Sequence, residues 1–147
     1  MYLFLSFLID PFYFAYQYIS VLRGKENLER FWERWVSKKI YRPSGKLIWF
    51  HAASVGETLS VIPIIQKLIK GNHEVNVLIT STTMTSAQIF EKMPLDRVIH
   101  QMAPHDTFFV SKRFLTHWKP DLAIRVESEI WPRILLELKK NKTPNSF

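Results

Sequence analysis

From residue 43 onward the chain alternates short apolar runs with helix-periodic stretches, and no other feature limits its fold so tightly. Pro43-Ser44-Gly45 signals a turn, and Lys46–Phe50 reads as a short strand. Thr58–Lys70 carries the helical spacing of Leu59, Ile62, Ile65 and Ile69, and Gly71-Asn72 gives it a C-cap signal. Val75–Thr80 is the second strand, and Thr83–Lys92 the second helix, opened by the hydroxyls of Ser81-Thr82-Thr83. Arg97–Met102 and Leu122–Val126 are the third and fourth strands. Their helices are Asp106–His117, with Asp106 as N-cap, and Ile130–Lys140, with Pro132 tolerated in the first turn. Strand–helix units of about 25 residues predict an open parallel α/β sheet with helices on both faces. Such sheets bind ligands outside the carboxyl ends of their strands.

The chain has 147 residues, 47% of them hydrophobic and 22% charged, so it can bury a core without staples and is not disordered. It contains no cysteine, which excludes disulfides, thiolate metal sites and a cysteine nucleophile.

Residues 1–22 differ from the rest. Seventeen of them are apolar or aromatic, eight being Phe or Tyr. No basic segment precedes them and no small-residue cleavage site follows, so they are not a secretory signal. A bilayer span is disfavoured: Asp10 at mid-membrane costs roughly 2.5–3.5 kcal/mol, and Pro11 breaks the helix beside it. The aromatic content suits the headgroup interface, which predicts a kinked interfacial membrane anchor. A hydrophobic helix buried in the protein or in an oligomer contact is the other reading. Residues 23–42 follow as a basic amphipathic helix, with Leu28, Phe31, Trp32 and Trp35 on one stripe and seven basic against three acidic residues. Part of the net charge of +7 therefore sits beside the anchor, and most of the remainder lies near the C-terminus. This points to an anionic partner: a membrane surface, a phosphorylated ligand or a nucleic acid. A solvated helical face is the structural alternative.

Four loops fall at the carboxyl ends of the strands. His51-Ala52-Ala53-Ser54-Val55-Gly56-Glu57 is made of small residues that let a ligand approach, and Gly56 permits positive φ. Glu57 stands where the helix dipole favours its negative charge and where a general base would be placed. It is equally suited to stabilising the first helical turn. The loop lacks the P-loop ending and the G-x-G-x-x-G pattern. Thr80–Ser86 is rich in hydroxyls that can bind a phosphate or sugar, or cap the helix. In Ala103-Pro104-His105-Asp106 the histidine reads as solvent-exposed. In Glu127-Ser128-Glu129-Ile130-Trp131-Pro132 one carboxylate is expected to face the crevice, unless both cap the helix or pair with Arg125 and Arg133.

HAASVGE (His51–Glu57), TSTTMT (Thr80–Thr85) and ESEIWP (Glu127–Pro132), in this order behind an aromatic anchor and the Arg30–Trp35 run, resemble the 3-deoxy-D-manno-octulosonic acid (Kdo) transferases of lipopolysaccharide biosynthesis. The resemblance covers residues 1 to 142. It implies a Rossmann-like sheet, the N-terminal acceptor domain of a GT-B glycosyltransferase, at the cytoplasmic face of the cell inner membrane. It implies inverting transfer of Kdo from CMP-Kdo to the lipid A precursor lipid IVA, with no cofactor or metal. Glu57 is then the catalytic base and Glu127 the second catalytic carboxylate, nearest the cleft. Ser54, Gly56, Thr82, Thr83 and Glu129 are substrate-binding residues.

Two departures stand out. Arg133 occupies a position where the family usually has Asn, which bears on acceptor contacts or on the helix start. Thr143–Phe147 does not look like the strand that follows in the family. The expected organisation is therefore an anchor (1–22), a basic helix (23–42) and a truncated acceptor domain (43–147), with the C-terminal CMP-Kdo-binding domain absent or supplied by a separate chain. Little activity is expected of this chain alone. A non-catalytic membrane-surface module that binds phosphorylated lipid is the alternative. A nucleic-acid partner, suggested by the pI of 9.7, is set aside because no sheet face clusters basic with aromatic residues.

Overall fold

The computed structural model describes residues 2–23, 28–36, 40–93, 95–126 and 131–146. The chain runs α1 (Tyr2–Leu22), α2 (Leu28–Arg34), β1 (Lys46–His51), α3 (Val55–Gly71), β2 (Val75–Ser81), α4 (Met84–Lys92), β3 (Val98–Met102), α5 (Phe108–Trp118), β4 (Leu122–Arg125), α6 (Pro132–Lys140) and β5 (Asn145–Ser146). The five strands form one sheet in the order β3-β2-β1-β4-β5, and every pairing is parallel. This is the Rossmann-like arrangement, in which strand order reverses beside β1.

Side chains alternate across the sheet as the pleat requires. Leu47, Trp49, Leu78 and Ala123 face one core with α5 and α6, through Val110, Phe114, Leu115, Trp118, Ile134 and Leu138. Phe50, Val77 and Ile79 face the other, against Val61, Ile62, Ile65 and Ile69 of α3 and Phe90 of α4. Both faces are covered, as the alternation of elements predicted. A fully buried side chain such as Phe114 contributes roughly 1.5–3 kcal/mol of transfer free energy.

Several local expectations are corrected. The buried stripe of α3 is Thr58, Val61, Ile62, Ile65 and Ile69; Leu59 is 52% exposed. Gly71 is the last residue of α3 and the C-cap Asn72 is extended, so no left-handed glycine ends this helix. Gly45 does need its freedom: φ is +86°, and a Cβ there would lie 3.1 Å from the Glu74 carbonyl oxygen. The chain end forms a strand after all. Lys142 turns at φ +53°, the Ala123 amide donates to the Pro144 carbonyl at 3.0 Å, and Asn145–Ser146 aligns beside β4. Two residues carry no alternation, so this strand has no pattern of its own.

The N-terminal elements differ most from expectation. α1 is helical from Tyr2 to Leu22 and is not broken at Pro11, which removes one backbone donor without stopping the helix. Among the described residues, no helix is long and apolar enough to cross a membrane. Of the helix expected over 23–42, residues 24–27 and 37–39 lie outside the described residues, and among the rest only Leu28–Arg34 is helical. α2 ends at Arg34, and Val36 takes φ +53°, a strained region for a β-branched residue. What holds it there is packing: Val36 is buried in the first core, with Trp35 and Ile40 against it. Phe14 of α1 seats in an aromatic cluster, its ring centroid 5.5 Å from Phe31 and 4.9 Å from Trp35. α1 is thus neither free nor fully buried. Phe12, Tyr16 and Leu22 remain 69–78% exposed, with Leu28 at 50% on α2.

Candidate active site

Strand order reverses between β1 and β4, and sheets of this kind bind ligands beyond the carboxyl ends of the strands at such a reversal. The His51–Glu57 loop leaves β1 there, and the chain beyond Val126 leaves β4. The Val126 amide donates to the His51 carbonyl at 3.1 Å, joining the two exits. His51 itself is buried, shares a 2.9 Å hydrogen bond with the Thr80 hydroxyl, and lies 4.3 Å ring to ring from Trp131. Glu127 and Glu129 lie outside the described residues.

Ser54 caps α3 with extended backbone, and its hydroxyl accepts from the Glu57 amide at 3.3 Å. Glu57 replies with both oxygens. Oε1 accepts from the Ser54 hydroxyl at 2.8 Å, and Oε2 accepts from the Ala53 amide at 2.7 Å. This is a reciprocal capping arrangement, so the helix-stabilising role of Glu57 is present. An ionised carboxylate has about four acceptor sites, and these two bonds leave capacity for a ligand hydroxyl. The side chain is half-buried. Gly56 is the second residue of α3 and does not use the positive φ that glycine permits. A Cβ there would meet only the Ser54 hydroxyl oxygen, at 4.0 Å. Its smallness leaves open space at the helix start.

The hydroxyl-rich loop divides between fold and surface. The buried Thr80 hydroxyl also accepts from the Trp49 indole at 2.9 Å. Ser81 bonds His100 at 2.9 Å. Thr83 caps α4 through the Ser86 amide and hydroxyl. The side chains of Thr82, Thr83 and Thr85 are exposed, and of the two threonines expected to bind substrate Thr83 also caps α4. The Thr82 amide donates to the Ala53 carbonyl at 3.4 Å, which joins this loop to the Glu57 loop.

The third loop is corrected on both residues. His105 is buried, not exposed, its ring 5.0 Å from Trp35. Burial, reinforced by the Arg34 charge, lowers its pKa to about 3. Asp106 does not cap α5, whose N-cap is Thr107. Its carboxylate turns instead to α6, accepting from the Arg133 amide at 3.1 Å and the Ile134 amide at 2.8 Å. Burial pushes the Asp106 carboxyl up, opposed by these bonds. Arg133 leaves the helix start intact: α6 begins at Pro132, and the Arg133 guanidinium lies 5.0 Å from the Phe108 ring.

The residues that pattern reading missed are on α2. Glu33 is buried and accepts from the Met102 amide at 3.0 Å at the end of β3, and Arg30 bridges Glu33 and Glu91. The Glu33 carbonyl accepts from Gln101, whose own amide oxygen accepts from Trp118. Arg34 donates to the Thr82 carbonyl at 2.7 Å. The charged side of this helix, which the sequence left open between a membrane surface, a cover for the next domain and a solvated face, is docked against the sheet. The i, i+3, i+4 spacing of Arg30, Glu33 and Arg34 marks one face, but nothing in the spacing says that it is covered.

Residues 29–146 match the family profile described as 3-deoxy-D-manno-octulosonic-acid transferase (kdotransferase). The chain is 41% identical over 140 residues to a 3-deoxy-D-manno-octulosonic acid transferase of Rickettsia bellii, covering 95% of this chain and 34% of that protein. It is 39% identical over 115 residues to a probable mitochondrial 3-deoxy-D-manno-octulosonic acid transferase of Arabidopsis thaliana, covering 78% and 26%. With the Haemophilus influenzae transferase it shares 30% identity over 102 residues, covering 69% and 24%. The chain thus spans about a third or less of the length of these relatives. It belongs to the 3-deoxy-D-manno-octulosonic-acid transferase family.

Proposed function

We propose that this chain forms the acceptor side of a Kdo transfer site, the N-terminal domain of a GT-B glycosyltransferase of lipopolysaccharide biosynthesis. In this reading Kdo passes from CMP-Kdo to lipid IVA. The observation that carries it is the position of Glu57, a carboxylate at the carboxyl edge of β1 beside the strand-order reversal, with unused acceptor capacity. An acceptor hydroxyl there gives its proton to Glu57 as its oxygen attacks the anomeric carbon of Kdo. The bond from that carbon to the phosphate oxygen breaks on the opposite face, its electron pair leaves with CMP, and the centre inverts. Gly56 leaves room for the sugar, Ser54 and the Ala53 amide orient the carboxylate, and Thr82 offers an exposed hydroxyl. Glu127 as second catalytic carboxylate and Glu129 as substrate contact follow from the family resemblance alone, both lying outside the described residues. The reaction needs no metal or cofactor beyond the donor.

The exposed Phe12, Tyr16, Leu22 and Leu28 support an interfacial anchor on the cytoplasmic face of the inner membrane, where basic side chains are each worth about 1 kcal/mol of attraction to an anionic surface. CMP-Kdo is assigned to polypeptide outside these 147 residues, because the relatives are much longer.

The test supplies CMP-Kdo and lipid IVA to the chain in detergent, alone and together with the part of a relative that the match does not cover, and follows product by mass spectrometry. Transfer is expected in the combined sample, little from the chain alone, and a loss of about 100-fold or more in Glu57→Gln. Full turnover by Glu57→Gln would refute the base and leave Glu57 as a cap. Lipid binding without transfer in either sample would favour a non-catalytic module for phosphorylated lipid.

A further inference from the structure

The loops at the carboxyl edge of the sheet are hydrogen-bonded to one another and to α2. The Arg34 guanidinium donates to the Thr82 carbonyl at 2.7 Å. The Thr82 amide donates to the Ala53 carbonyl at 3.4 Å. The Ala53 amide donates to Glu57 Oε2 at 2.7 Å. Two backbone residues therefore separate a side chain of α2 from the candidate base. The Arg34 carbonyl also accepts from the His105 amide at 3.4 Å, which fixes the same residue to the loop after β3. Immediately before it, Glu33 is locked to the end of β3 by the Met102 amide.

α2 is therefore held at a set height over the sheet edge while its other side takes part in the aromatic contact with α1. Thr82 and Ala53 lie one and two residues past the ends of β2 and β1, where the sheet bonds stop at Ser81 and Ala52, and from there on both are held by bonds between loops. We infer that Arg34 is a positioning residue for Glu57: it holds the Thr82 carbonyl, the Thr82 amide holds the Ala53 carbonyl, and the Ala53 amide orients the carboxylate. The part that concerns catalysis rests on the proposed role of Glu57. The part that concerns loop position does not.

Two measurements separate these parts. The first is amide hydrogen exchange on the 147-residue chain. In Arg34→Ala the Thr82 and Ala53 amides are expected to exchange about tenfold faster or more, while α3 and β2 amides within the core keep their rates. Arg34→Lys is expected to restore much of the protection, because Nζ can also donate to a carbonyl. Unchanged exchange at Thr82 and Ala53 in Arg34→Ala would overturn the inference. Accelerated exchange throughout the core would also overturn it, since Arg34 would then be a general stability determinant.

The second measurement is a double-mutant cycle in the transfer assay. If Arg34 acts through Glu57, Arg34→Ala lowers kcat by about 10- to 100-fold with little change in acceptor KM. It then causes no further loss in the Glu57→Gln background. A loss confined to KM, or losses that multiply in the double variant, would mean that Arg34 contacts the acceptor itself and would overturn the inference. If Glu57→Gln alone costs nothing, the base reading fails, and hydrogen exchange still decides the positioning of the loops.

Discussion

Replacing Asp106 with alanine tests how far one side chain holds the second half of the sheet together. The Asp106 carboxylate accepts from two backbone amides in the first turn of α6, Arg133 at 3.1 Å and Ile134 at 2.8 Å, and receives the Ser111 hydroxyl at 3.4 Å. α6 has no side-chain cap of its own from Trp131, and Pro132 at its start has no amide to satisfy. Arg133 and Ile134 are 5% and 0% exposed, so water cannot readily replace the lost acceptor. A buried amide left without a partner costs about 1–3 kcal/mol, and the lost charge at the helix N-terminus about 0.3–1 kcal/mol. Burial of the carboxylate, which pushes its pKa up, returns part of this when the group is removed. The net expectation is a loss of about 2–4 kcal/mol for Asp106→Ala. Asp106→Asn keeps one carbonyl oxygen and should lose about half as much. Urea unfolding at pH 7, followed by circular dichroism and tryptophan fluorescence, measures both. A change below about 0.5 kcal/mol in Asp106→Ala would show that the caps contribute nothing net. Equal losses in the two variants would show that charge, and not acceptor count, carries the effect.

Acid should destabilise the fold well above the range in which carboxylates titrate. His100 and His105 each have a pKa lowered to about 3, first by burial and then by the Arg30 and Arg34 charges respectively. The folded value lies below the unfolded one, so this contribution is complete above pH 6.5 and is lost as pH falls toward 3. At pH 5 each histidine accounts for roughly 2 kcal/mol, and unfolding free energies at pH 7 and pH 5 should differ accordingly; His100→Gln and His105→Gln should each flatten the dependence, and an unaltered slope in both would contradict the assignment. Gly45→Ala forces a side chain into φ +86° with its Cβ 3.1 Å from the Glu74 oxygen, and should cost about 1–2 kcal/mol; a variant as stable as the parent in the same urea titration would mean that the turn relaxes freely.

The relation between sequence and site is clearest at three places. Ser54 and Glu57 are three residues apart ahead of an apolar run, and a reciprocal cap is a local arrangement that such spacing can form without help from distant residues. Asp106 has the right chemistry for a helix cap, but the helix it caps begins at Pro132, and only the packing of α5 beside α6 brings the two together. Glu33 and Arg34 carry a charge pattern that solvent would accept equally well. Their burial and their bonds to Met102 and Thr82 follow from where α2 lands on the sheet edge.

The sequence by itself determined the alternation of strands and helices, the two-faced core and the loops that follow the carboxyl ends of the strands. Those features depend on periodicity and on turn and cap residues within a few positions of one another, and such interactions are local. Only the tertiary structure decided the strand order, the early end of α2 at the buried Val36, the pairing of the short β5, and the hydrogen-bonded line from Arg34 to Glu57. The strand order, the β5 pairing and the Arg34–Glu57 line join residues far apart in the chain through backbone amides or carbonyls, and the end of α2 depends on packing against distant core residues. Every non-proline residue carries the same pair, so residue type does not record which partner a backbone group will meet.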